Sequence, residues 1–263
     1  MADSIEFLER HPKIPGYEPL RLESQNGGAV YLARQLSTDM LVYLRVDGRN
    51  WDHCFSSFLA LSLLDHPNIS QVFEIGEVDG CHFYALEYTD RSLEDLLKDG
   101  PISEVDAVSL AHAVTAALVY AERRNLEAVA LSPSSIQIAE GDTPKLAYFR
   151  SVAAPGVTEF TSPDEVVNPF PHVPSVIYRI GATLYAMLTG EPPVSFKDGN
   201  SISENAYAIV NGTPKAMEQC VPTISSDLRM LVSRCLRKMP DERYQSIPDV
   251  ANALRELMKK GSV

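Results

Sequence analysis

Residues 177–190 read IYRIGATLYAMLTG, and together with 174–176 they are apolar nearly all the way round a helix. A surface helix keeps one polar face, so this pattern predicts a helix buried at the centre of a sizeable domain. Ile177, Ile180, Leu184, Met187 and Leu188 give it bulk, and Gly190-Glu191-Pro192-Pro193 stops it. Toward the C-terminus, Ile247, Val250, Ala251, Leu254, Leu257 and Met258 recur at helical spacing. Toward the N-terminus, Ser103 with Asp106 three residues on opens a long helix with a Leu110, Val114, Ala117, Leu118, Ala121 stripe. A short helix covers 92–97.

Upstream of residue 88 the character changes. Runs 29–36 and 40–46 are β-type and close enough to pair as a hairpin, 72–75 and 82–88 are two more strands, and 53–64 reads as one helix. The chain is therefore predicted to be α+β. A small sheet part with one helix spans 17–88 and a larger, mainly helical part spans 89–260, with an N-terminal extension at 1–16 and a short tail at 261–263.

The composition narrows the function classes. The chain has 263 residues and a net charge of −12, from 23 Lys and Arg against 35 Asp and Glu. Nucleic acid and anionic membranes both demand a basic face, so neither is expected as a partner. A chain of this length buries enough surface to fold without a staple. Cys54, Cys81, Cys220 and Cys235 show no metal-ligand spacing, so no zinc is expected. Few scattered cysteines fit a reducing compartment. The start carries no signal-peptide pattern and no stretch approaches ~18 uninterrupted apolar residues. A soluble cytoplasmic protein without membrane insertion is the expectation.

Local wording adds a family. HPNI at 66–69, LEY at 86–88 before Ser92-Leu93, the run 177–190, and RCLRKMPDERY at 234–244 resemble a serine/threonine protein kinase domain of the bacterial type, in the right order over 17–258. The resemblance implies a bilobal protein kinase-like fold. It also implies a set of parts for phosphoryl transfer, and many of them differ here. The Gly-rich loop aligns with Glu23, Gln25, Gly28 and Val30, so two glycines are gone. The phosphate-pairing lysine aligns with Arg45, which keeps the charge but not the compact ammonium, and the lysine's glutamate partner aligns with Ser57. In the catalytic loop the base aspartate aligns with Ala130, the following lysine with Ser132 and the metal-binding asparagine with Ser135. The D-F-G motif reads Tyr148-Phe149-Arg150, where Phe149 is the retained core aromatic.

Around the adenine position the resemblance places Tyr43 and Gln137 where the family has small and aliphatic residues, with Leu86 and Tyr88 nearby. Strand alternation puts Tyr43 on the face of Arg45, where its ring would fill the nucleotide space. The family aspartate that holds the catalytic loop from the buried helix aligns with Val176, so that tether is expected to be lost. Arg243 matches the family arginine that pairs with the A-P-E glutamate, here Asp164 or, one residue on, Glu165. Arg243 is expected to carry stability that Arg45 does not.

The expected function is a catalytically inactive kinase-like domain and no enzyme. It would act as a scaffold or allosteric regulator in signalling through a protein partner, such as an active kinase or another signalling protein. No cofactor, ATP or metal is expected. Two other readings stay open: a metal-independent nucleotide sensor, kept alive by Gly28, Val30 and Arg45, and an atypical kinase using Glu127 or Asp142 as acid and Lys145 as phosphate ligand.

Overall fold

A computed structural model describes residues 13–24, 28–47, 62–124, 126, 131–147, 157–168 and 172–260. Most of the expected helix 53–64 lies outside the described residues, as do Ser57, Glu127, Ala130, Tyr148, Phe149, the tail 261–263 and nearly all of the N-terminal extension.

Five antiparallel strands come first: β1 (Tyr17–Ser24), β2 (Ala29–Gln35), β3 (Met40–Asp47), β4 (Val72–Val78) and β5 (Cys81–Glu87), in the order β1-β2-β3-β5-β4. Asp39, with φ 59°, closes the β2–β3 hairpin, and Asp79 and Gly80, both at positive φ, close β4–β5. Period-two alternation splits the sheet into two buried faces. Val42, Leu44 and Val46 of β3 join Tyr31, Phe83 and Ala85 on one side. Val30, Tyr43, Tyr84 and Leu86 face the other way, into the apolar core that continues through the helices. That second face ties the sheet to the rest of the chain.

A small second sheet follows, β6 (Arg91–Ser92), β7 (Ile136–Ala139) and β8 (Thr143–Leu146). It is interrupted by α1 (Leu93–Leu97) and α2 (Glu104–Glu122). Ser103 caps α2 by accepting from Asp106 N at 3.2 Å. By length and composition α2 is apolar enough to cross a membrane, with a mean hydropathy of 1.2. Its Ala107, Val108, Ala111, Val114 and Leu118 are buried, and it packs on α4 and α8.

The helices after the second sheet are α3 (Pro163–Val167), α4 (Val173–Thr189), α5 (Ile202–Asn211), α6 (Met217–Cys220), α7 (Ser226–Cys235) and α8 (Ile247–Lys259). Helix α4 carries the apolar run at 177–189, and every residue from 175 to 188 is buried. Gly190 ends it in the left-handed conformation, φ 76°. Gly181 lets α4 and α7 touch, since a Cβ there would collide with Cys235. Cys235 is fully buried, and burial pushes its thiol up to about 12.

Candidate functional site

The candidate site lies between the sheet and the helices, and β3 supplies its upper wall. Alternation sets Tyr43, Arg45 and Asp47 on one face of that strand. Tyr43 is 5% exposed. Its hydroxyl donates to the carbonyl of Thr89 at 3.3 Å, and its ring meets Tyr88 edge to face with centroids 5.1 Å apart. Leu86 lies directly opposite it in the β3–β5 register. From below, Thr89 Oγ1 donates to Gln137 Oε1 at 2.7 Å, and Gln137 Nε2 donates to the Ser134 carbonyl at 3.4 Å. Gln137 is 1% exposed. Strand β3, the connection after β5 and strand β7 are thus stitched through Thr89. Sequence reading found Tyr43 and Gln137 but missed Thr89, whose type and spacing give no signal of a bridge.

Arg45 is 1% exposed and donates from Nε to Asp47 Oδ1 at 2.8 Å, and Asp47 is fully buried. Burial pushes the Asp47 carboxyl above its ordinary value, and the Arg45 charge opposes that rise. Gly28 stands against this pair, where a Cβ would collide with the Asp47 carboxylate. Val30 is buried beside it in the core. Asp47 was the missed residue here, and the period of two along Arg45-Val46-Asp47 was the signal that could have found it. The expectation that Arg45 is unimportant to stability is corrected, because its loss would strand a buried carboxylate.

Below the cleft, Pro133–Ser135 forms one tight turn. Ser135 is 2% exposed; its hydroxyl donates to the Ser132 carbonyl at 2.8 Å and accepts from Ser132 N at 3.0 Å. The hydroxyls of Ser132 and Ser134 lie 3.0 Å apart. Among the described residues, no group of His, Cys, Asp and Glu is placed to hold a metal ion.

Two buried arginines fasten segment 157–168 beside this turn. Arg243 donates to Asp164 Oδ1 at 2.5 Å and also to the carbonyls of Pro174, Arg237 and Lys238 at 2.7, 2.7 and 2.9 Å. Of the two acids offered by the sequence, Asp164 takes Arg243. Burial alone would push the Asp164 carboxyl up, but the Ser175 hydroxyl and Arg243 outweigh it and hold it below its ordinary value. Glu165 belongs to Arg179, which reaches both its oxygens at 2.8 and 3.0 Å. Arg179 also donates to the Leu131 carbonyl at 3.4 Å. The tether expected to be lost at Val176 is therefore supplied three residues later. An arginine inside an otherwise apolar helix was the signal, since a buried charge demands a partner.

Of the relocated-residue candidates, Asp142 and Lys145 are described, and each is held by a pair of its own. Lys145 pairs with Glu87 at 2.8 Å, and Asp142, 77% exposed at its side chain, pairs with Arg91 at 3.0 Å.

A family model described as the protein kinase domain matches residues 26–256. Serine/threonine-protein kinase PrkC of Bacillus subtilis is 25% identical over 256 residues, covering 89% of this chain and 39% of that protein. Serine/threonine-protein kinase PknB of Mycobacterium leprae is 27% identical over 206 residues, 71% of this chain and 33% of its own length. The probable serine/threonine-protein kinase CPE1738 of Clostridium perfringens is 23% identical over 94% of this chain and 39% of its own length. This chain thus spans 33–39% of these relatives. All three carry the names of kinases, which overturns the expectation of no enzyme: the relatives point to a kinase enzyme.

Proposed function

Because the chain belongs to the protein kinase family, we propose that this domain works in bacterial signalling through protein contacts, as a scaffold or allosteric regulator of a partner such as an active kinase. The observation that carries this reading is the double fastening of segment 157–168 by Arg243–Asp164 and Arg179–Glu165. Those pairs hold the segment against the helical part of the chain. The stitch from Tyr43 through Thr89 to Gln137 supports it further, since it fixes the two lobes relative to one another. A rigid, preformed surface binds at lower entropic cost than one that orders on contact. A cytoplasmic location belongs to this reading, on the strength of the few scattered cysteines.

The test is a labelled-phosphate assay of an active serine/threonine kinase from the same cell, with and without this domain, alongside gel filtration of the mixture. Co-elution and a changed rate of that kinase are expected. Separate elution together with an unchanged rate of that kinase would overturn the reading.

A further inference from the structure

Between α2 and α4, beside the turn Pro133–Ser135, the side chains leave a cavity of about 10 Å³. Val114, Leu131, Ile136, Ile180 and Met187 line it, all of them buried. Leu110, half-buried, lines the side nearest the surface. Among the described residues that line it, Thr183 alone brings a polar side chain. That threonine is 3% exposed, and its Oγ1 meets no hydrogen-bond partner among the described residues. Threonines elsewhere in these helices satisfy the same group locally. Thr115 donates to the Ala111 carbonyl at 2.6 Å and Thr189 to the Tyr185 carbonyl at 2.8 Å, each four residues back. Thr183 does not turn its hydroxyl onto the Arg179 carbonyl in this way. A buried hydroxyl kept off its own helix is costly to the fold and calls for a partner from elsewhere.

We propose that this cavity is a binding site for a small neutral molecule, apolar in its body and carrying one hydrogen-bond acceptor for the Thr183 hydroxyl. Size sets the first limit. About 10 Å³ is the room that one water-sized sphere needs, so a ligand of a few heavy atoms enters only if a wall yields. Met187 is unbranched and swings through three bonds, and Leu110 already reaches the surface. Chemistry sets the second limit. A water held in place needs about two to four polar partners, and the wall offers one polar side chain. An ion would find no counter-charge among the lining residues. An apolar body matches the wall, and a single acceptor matches the hydroxyl. Leu131 stands just before the turn and Ile136 just after it, and the Leu131 carbonyl already accepts from Arg179. An occupant therefore braces the turn below the cleft from its apolar side. The ligand is a small molecule and not the protein partner, so the protein-contact reading stands or falls separately.

Methyl carbon–proton NMR on the full chain tests this with xenon and with acetone as probes. Xenon pressure should shift the methyl signals of Ile136, Ile180 and Met187 along saturable curves. Those of Val250 and Leu254, buried in the same core but away from the cavity, should not move. Acetone should act on the same signals. Thr183→Val should keep the xenon response and weaken the acetone response by about three- to tenfold. Thr183→Ile puts an added methyl group into the cavity and should abolish both responses while folding as the parent does. With acetone bound, amide exchange at Ser135, whose N–H donates to the Ser132 carbonyl at 3.0 Å, should slow severalfold. Shifts spread evenly over all core methyls, no shifts in the parent, or a full response in folded Thr183→Ile overturn the site. Equal acetone affinity in Thr183→Val overturns the role of the hydroxyl, and unchanged Ser135 exchange overturns the bracing of the turn. Selectivity among the parent's own methyl groups decides the question even where neither variant folds.

Discussion

Arg45 and Tyr43 sit two positions apart on β3, and each puts a polar group where water cannot follow. For Arg45 the partner is Asp47. Replacing Arg45 with Ala should cost about 3–5 kcal/mol in urea unfolding, because the buried Asp47 carboxylate loses the guanidinium hydrogen-bonded to it. The Arg45→Ala/Asp47→Ala double variant should recover much of that loss. If the single variant unfolds with the parent, the pair is not the buried unit described. Tyr43 tests access rather than stability. Its ring and hydroxyl occupy the space between β3 and Thr89. An ATP analogue should bind the parent more weakly than about 100 µM, and Tyr43→Ala at least about tenfold more tightly. Calorimetry decides, and equal affinities would remove Tyr43 as the obstruction. Neither partner, Asp47 or Thr89, stood out in the sequence. An aspartate near a strand end and a threonine after a strand are common types, and only the third dimension makes them partners.

At the scale of elements, α3 and the segment before it are held from two directions. Arg243 reaches in from the connection before α8, and Arg179 from the middle of α4. The first was legible, because it lies in a local motif whose spacing fixes the register. The second was signalled only by an arginine inside an otherwise apolar helix, and which acid it takes depends on how α3 and α4 meet in the fold. Arg243→Ala leaves the Asp164 carboxylate without its guanidinium partner and takes a donor from three carbonyls, and should destabilise by about 3–5 kcal/mol. The pair also has a pH signature. The folded Asp164 carboxyl lies below its unfolded value of about 3.8, so its stabilisation is fully present above that pH and drains away as pH falls through the lower folded value. Acid titration of stability should therefore be steeper in the parent than in Asp164→Asn. Parallel curves would mean that the carboxylate contributes nothing in the folded state.

Over the whole molecule, one apolar core runs from Val30 and Leu86 of the sheet through α2, α4, α7 and α8. Circular dichroism and tyrosine fluorescence should accordingly report one coincident urea transition, and two separated midpoints would divide the lobes into independent units. The helical part was the more legible half. Its faces repeat over several turns, and α4 announces its depth by lacking a polar side. The sheet was readable strand by strand, since alternation and turn residues are local. How its lower face merges with the helical core was not, because that contact depends on residues far apart in the chain.

The close approach of α4 and α7 at Gly181 has a chemical consequence. Cys220 is exposed, while Cys235 is sealed beneath that glycine with its thiol pushed up to about 12. The reactive thiolate is therefore nearly absent at Cys235 until the helices part. An alkylating reagent would consume Cys220 at once and Cys235 only as fast as the protein breathes open. The slow component of that reaction is a clock for helix separation, readable by mass spectrometry without denaturant or an attached probe.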